Sequence, residues 1–212
     1  MSEMLGKAQE EIREAYEQRN DLMRAVRRTT KLAKRAIFSI HKGQLDEARK
    51  LLDEAREELA EMRAFLDERP DVAGINALGP AYQEYSEAEI LLAIVSGSDI
   101  PKPDELGVPP GHFVLGLADV IGELRRRALD ALKSGRLEEA EGCLELMEEI
   151  YMELISLDEA QAILSELRRK CDIARRLIEA TRGDISMEAR RRSLEEALER
   201  LEGLLRGLGG GA

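Results

Sequence analysis

The sequence predicts an all-α protein, and three observations carry that reading. All six prolines lie between Pro70 and Pro110, so residues 1–69 and 111–212 contain none. Apolar residues in those stretches recur at spacings of three and four, the helical period. No alternating β-branched run marks a strand. About seven helices follow, read as an antiparallel bundle. In the first, Leu22, Val26, Ala33, Ile37 and Ile40 form one stripe, and neither glycine nor proline occurs between Gly6 and Gly43. A helix over about 7–41 is expected, roughly 50 Å long at 1.5 Å per residue. Leu45 to Leu66 forms its return partner. The third helix runs from Leu78 to Val95 and stops at Ser96-Gly97-Ser98. The segment 98–110, SDIPKPDELGVPP, is a loop by composition. Helices then span Gly111 to Leu132, Leu137 to Ile155 and Leu157 to Thr181. Arg182-Gly183-Asp184 is expected to break the last of these, with Met187 to Leu205 as a closing helix. The hexapeptides GQLDEA at 43–48 and GRLEEA at 135–140 look like repeats. A solenoid needs at least three units, so they are read as helix-hairpin turns.

These elements suit one all-helical domain over residues 1–206, with a flexible glycine-rich tail over 207–212. Of the 212 residues 43% are hydrophobic and 35% charged, which excludes both a disordered chain and a membrane protein. The longest aliphatic run, Ile90 to Val95, is far short of a membrane span. The opening MSEMLGKAQE lacks the apolar centre of a signal peptide. A soluble, cytoplasmic protein is expected, with Cys143 and Cys171 as free thiols. The net charge of −11 excludes a globally basic nucleic-acid binder, but not a local basic patch.

Such a patch is present. Arg24, Arg27, Arg28, Lys31, Lys34 and Arg35 fall on one side of the first helix, within an arc of roughly 120° at 100° per residue. A stripe of this kind suits a run of phosphates. The plain alternative is a solvated face paired with acidic neighbours. No Asp or Glu occurs from residue 22 to 45, which favours the anion site.

A second constellation is acidic. Glu84 and Glu87 sit at i, i+3 on the third helix, on a side that continues into Leu91, Ile94 and Val95. A carboxylate on a core-directed face is costly unless paired or metal-bound. Asp119 and Glu123 sit at i, i+4 on the fourth helix, within FVLGLADVIGEL. Gly116 and Gly122 would let a neighbouring backbone or ligand approach closely. Four carboxylates on two helices can hold Mg²⁺ or Mn²⁺, which promote phosphodiester cleavage. The alternative is that they are ordinary solvated acids, in a chain that has 43. A ferritin-like di-iron centre expects Glu-x-x-His, and Ile90 follows Glu87 at that spacing. His41 is read as a helix C-terminal residue, His112 as structural, and Tyr82 and Tyr85 as core packing. No Ser/His/Asp set, P-loop or dinucleotide fingerprint occurs.

Three stretches carry a family likeness. The first helix contains RRTTKLAKRAIFSIHKG, the third YQEYSEAE and the fourth FVLGLADVIGELRR. In this order they resemble the translin family, and within it the TRAX (translin-associated factor X) branch. The resemblance implies hollow octameric barrels of all-helical subunits that bind single-stranded RNA or DNA. It also implies that TRAX-type subunits are Mg²⁺-dependent endoribonucleases. Their catalytic, metal-binding acids match Glu84, Glu87, Asp119 and Glu123 here. Plain translin subunits lack that set, so a non-catalytic nucleic-acid-binding scaffold is the alternative. One chain carrying the set implies a prokaryotic-type member that builds a homo-octamer alone.

Overall fold

In the computed structural model of the protein, residues 2–74 and 76–209 are described, and they contain helices and no strand. The helices are α1 (Ser2–His41), α2 (Leu45–Glu68), α3 (Gly79–Ser96), α4 (Pro103–Leu106), α5 (Pro110–Lys133), α6 (Leu137–Ile155), α7 (Asp158–Ile163) and α8 (Ser165–Gly209). The chain divides into two compact units, residues 1–120 and 121–212.

In the first unit α1, α2 and α3 pack on one another. The expected α1 stripe is the buried one, with Leu22, Val26, Ala33, Ile37 and Ile40 inside. They meet Leu51, Leu52, Ala55, Leu59 and Met62 of α2. Small residues, Ala33, Ala36, Ala48 and Ala55, are fully buried and let the two helices approach. Helix α3 is buried on most of its circumference, with Tyr85, Ile90 and Leu91 wholly inside. Apolar residues all round a helix make it a central element rather than a surface one. Pro80 lies within its first turn, where the missing N–H costs nothing. The short helix α4 lies inside the segment expected to be a plain loop.

The look-alike hexapeptides do form hairpin turns. Gly43 and Gly135 adopt φ of 72° and 74°. Each closes the preceding helix, with Gln44 N–H donating to the Ser39 carbonyl at 2.9 Å and Arg136 N–H to that of Ala131 at 2.9 Å. Only glycine takes this conformation at no steric cost.

In the second unit Ala128, Ala131, Ala140, Cys143 and Ile185 form a small core. The expected break at Arg182-Gly183-Asp184 does not occur, because α8 runs unbroken through it. Arg125 explains why. Its guanidinium donates to Thr181 Oγ1 at 2.7 Å and to Asp184 Oδ2 at 3.1 Å, clamping one turn of α8. Ile185 buries just beyond. Together these offset the roughly 1 kcal/mol that Gly183 costs inside a helix. The interruption falls earlier, where the helix expected over 157–181 is divided at Leu164, whose backbone is extended. Of the expected tail, residues 207–209 belong to α8 and 210–212 lie outside the described residues.

Candidate functional site

The first unit brings part of the acidic set together through a glycine. A Cβ at Gly116 would lie 2.7 Å from the Gln83 carbonyl oxygen, 2.9 Å from Ser86 Cβ and 3.1 Å from the Glu87 amide nitrogen. Helices α3 and α5 are therefore in backbone contact along residues 83–87. Gly122 has nothing within 4 Å of the same position. A neighbouring backbone thus approaches closely at Gly116 and not at Gly122.

Asp119 follows Gly116 by about one turn and accepts a 2.6 Å hydrogen bond from Gln83 Nε2. Gln83 is a partner of Asp119 that sequence reading missed, because a neutral amide carries no motif. Glu87, one turn along α3 from Gln83, is 8% exposed. Glu84 forms an ion pair with Lys34 of α1 at 3.1 Å. That pair joins the basic stripe of α1 to the acidic face of α3. Glu123 lies one turn beyond Asp119 on α5, inside the second unit, with Arg126 Nη1 at 4.0 Å.

The six basic residues are all exposed along α1. Arg24 pairs with Asp21 at 2.8 Å and Arg28 with Glu58 at 3.0 Å. Among the described residues no acid pairs with Arg27, Lys31 or Arg35. A central run of cations is thus available to an external anion.

The four acids are hard oxygen donors, which is the chemistry Mg²⁺ selects. Among the described residues, no three His, Cys, Asp or Glu side chains are grouped to hold a metal. Other candidates resolve as structure. His112 is 3.0 Å from Asn76 Oδ1 and stacks on Tyr82 with ring centroids 5.8 Å apart. Tyr85 is wholly buried. Burial pushes both the Cys143 and Cys171 thiols up, away from the thiolate a nucleophile needs. No helix of the described residues is long and apolar enough to cross a membrane.

The sequence profile of the Translin family matches residues 75–180, half of the chain and the half that carries all four acids. The chain belongs to the translin family. An uncharacterised protein of Methanocaldococcus jannaschii is 35% identical over 186 residues, covering 87% of this chain and 82% of the relative. Among solved structures, AfC3PO in a complex with duplex RNA is 33% identical with a TM-score of 0.74, over 90% of this chain and 97% of that one. AfC3PO by itself gives 32% and 0.76, over 89% and 98%. Apo-NeC3PO gives 25% and 0.77, over 87% and 96%. The all-α translin fold expected from the sequence is therefore the fold of this chain.

Proposed function

We propose that this translin-family protein is a Mg²⁺-dependent endoribonuclease of the TRAX type, cleaving single-stranded RNA inside a homo-oligomer built from one kind of subunit. The observation that carries the reading is the α3–α5 contact at Gly116. It sets Asp119 against Gln83, one turn from Glu87, while the Lys34–Glu84 pair ties the acids to the cationic stripe. RNA as the ligand is supported by the similarity to AfC3PO, whose structure holds duplex RNA.

In this reading Arg27, Lys31 and Arg35 hold successive phosphates, a turn apart along α1. Lys34 lies between that strand and Glu84. Glu84, Glu87 and Asp119 would hold the metal, and Glu123, one turn along α5 from Asp119, is the fourth acid of the set. Bound there, Mg²⁺ would supply positive charge to the cleaved phosphate and lower the pKa of the attacking water. Gln83 fixes the orientation of Asp119 through its amide.

A second reading has an observation in its favour. Glu84 and Asp119 are already engaged by Lys34 and Gln83, as expected of a non-catalytic RNA-binding scaffold. Cleavage of labelled single-stranded and duplex RNA, with Mg²⁺ and with EDTA, separates the two. The nuclease reading requires cleavage of the single strand that EDTA stops.

Two further results are expected. Replacing Arg27, Lys31 and Arg35 together by Ala should weaken single-stranded RNA binding and flatten its salt dependence. Each lost phosphate contact lowers the slope of log K against log salt by about 0.7, so three lower it by about 2. An unchanged slope would mean that the stripe does not meet the strand.

The other concerns assembly. Leu5, Ile12 and Tyr16 of α1 are each about two-thirds exposed, and Met187, Leu194 and Leu198 of α8 are exposed as well. Apolar faces of this length call for a partner surface. Light scattering should give a particle near eight times the 23.7 kDa subunit. A stable monomer at micromolar concentration would overturn the closed assembly.

A further inference from the structure

From Arg24 on α1 to Lys42 just past its end, every exposed position carries Arg or Lys, with one exception: Phe38, 49% exposed. Its neighbours Ile37 and Ile40 are buried on the inward face of the helix, while this ring lies on the outward face with the cations. The chain has only three phenylalanines and no tryptophan. The other two, Phe65 and Phe113, pack against the core. Phe38 therefore stands apart, an aromatic ring set into a row of cations, one turn beyond Lys34 and Arg35. Lys42 Nζ lies 4.2 Å from the ring centroid, a cation–π contact.

We propose that Phe38 is a base-stacking residue, which takes a nucleobase of the single strand whose phosphates run along the cations of α1. The inference rests on the RNA-binding reading and adds to it the one position that contacts a base rather than the backbone. The surroundings of the ring select this ligand. An apolar protein partner covering Phe38 would also have to bury Arg35 and Lys42, and unpaired buried charge is costly. A nucleic-acid strand brings a flat π-face for the ring and phosphates for its cationic neighbours. Stacking of this kind tolerates any base, because every base has a π-face. Phe38 would then hold the strand in place without fixing its sequence.

The experiment compares Phe38→Ala, Phe38→Leu and Phe38→Tyr with the wild type. Each is titrated with a single-stranded RNA carrying 2-aminopurine and with an abasic strand of equal length and charge. In the wild type, stacking should quench 2-aminopurine, and the RNA should bind more tightly than the abasic strand. Phe38→Ala and Phe38→Leu should weaken RNA binding about tenfold and relieve the quench, while leaving abasic binding and the salt slope unchanged. Phe38→Tyr should behave as wild type. Full affinity in Phe38→Leu would mean that apolar bulk suffices, and would overturn stacking. So would an equal loss on the abasic strand, or a changed particle mass for Phe38→Ala, which would assign the ring to contact between subunits. A wild type that binds neither strand would overturn the RNA-binding reading itself. A wild type that binds both equally leaves that reading standing and removes Phe38 from it.

Discussion

Replacing Asp119 by Asn is expected to lower Mg²⁺-dependent cleavage of single-stranded RNA by on the order of a hundredfold or more, the scale on which loss of one charge-stabilising group acts. Glu84→Gln, Glu87→Gln and Glu123→Gln should do the same. Melting should barely move in any of them. Asn at 119 keeps an oxygen to accept from Gln83, which now donates to Asp119 at 2.6 Å. Gln at 84 gives up an ion pair whose Lys34 end is 62% exposed, worth about 0.5 kcal/mol after solvent screening. Glu87 is buried, and Gln preserves its shape. The four amide variants thus separate chemistry from folding, where alanines would confuse cavity and charge. RNA binding should survive in all four, because the cations of α1 remain. Full cleavage by both Asp119→Asn and Glu123→Gln would remove the acids from the chemistry, and the scaffold reading would replace the nuclease.

What the sequence made legible, and what it hid, follows from the range of each interaction. The stripe Leu22–Val26–Ala33–Ile37–Ile40 was readable because burial on one face repeats locally, and the same period gathered the cations on one side of the helix. The hairpin turns at Gly43 and Gly135 were readable because a left-handed residue demands glycine. The supposed break at Arg182-Gly183-Asp184 misled because local propensity favoured it, while the residue that overrides it, Arg125, lies on another helix. The site divides in the same way. Its acidic residue types and their helical spacing were visible. The partners were not: Lys34 for Glu84 and Gln83 for Asp119 are far apart in sequence and joined only by packing. Phe38 was hidden in plain view, since its residue type alone says core and only its exposure says otherwise.

Gly116 and Gly122 test that distinction most sharply, because they are the same residue on the same helix with opposite surroundings. Gly116→Ala is expected to destabilise the protein by about 1–3 kcal/mol, as overpacking does. Its new methyl would sit 2.7 Å from the Gln83 carbonyl oxygen, and a backbone atom cannot swing aside as a side chain can. Helices α3 and α5 must part, and the hydrogen bond that holds Asp119 against Gln83 must lengthen with them. Melting should fall by about 2–4 °C per kcal/mol for a chain of this size. RNA cleavage should fall further than stability alone explains, while RNA binding along α1 should persist. Gly122→Ala adds a methyl that would meet nothing within 4 Å. It should gain up to about 1 kcal/mol from helix propensity and raise the melting temperature with activity intact. Thermal melts and cleavage assays on the pair decide the matter. Equal melting of the two variants would show that α3 and α5 do not meet at Gly116, and the proposed alignment of Asp119 with the α3 acids would lose its basis.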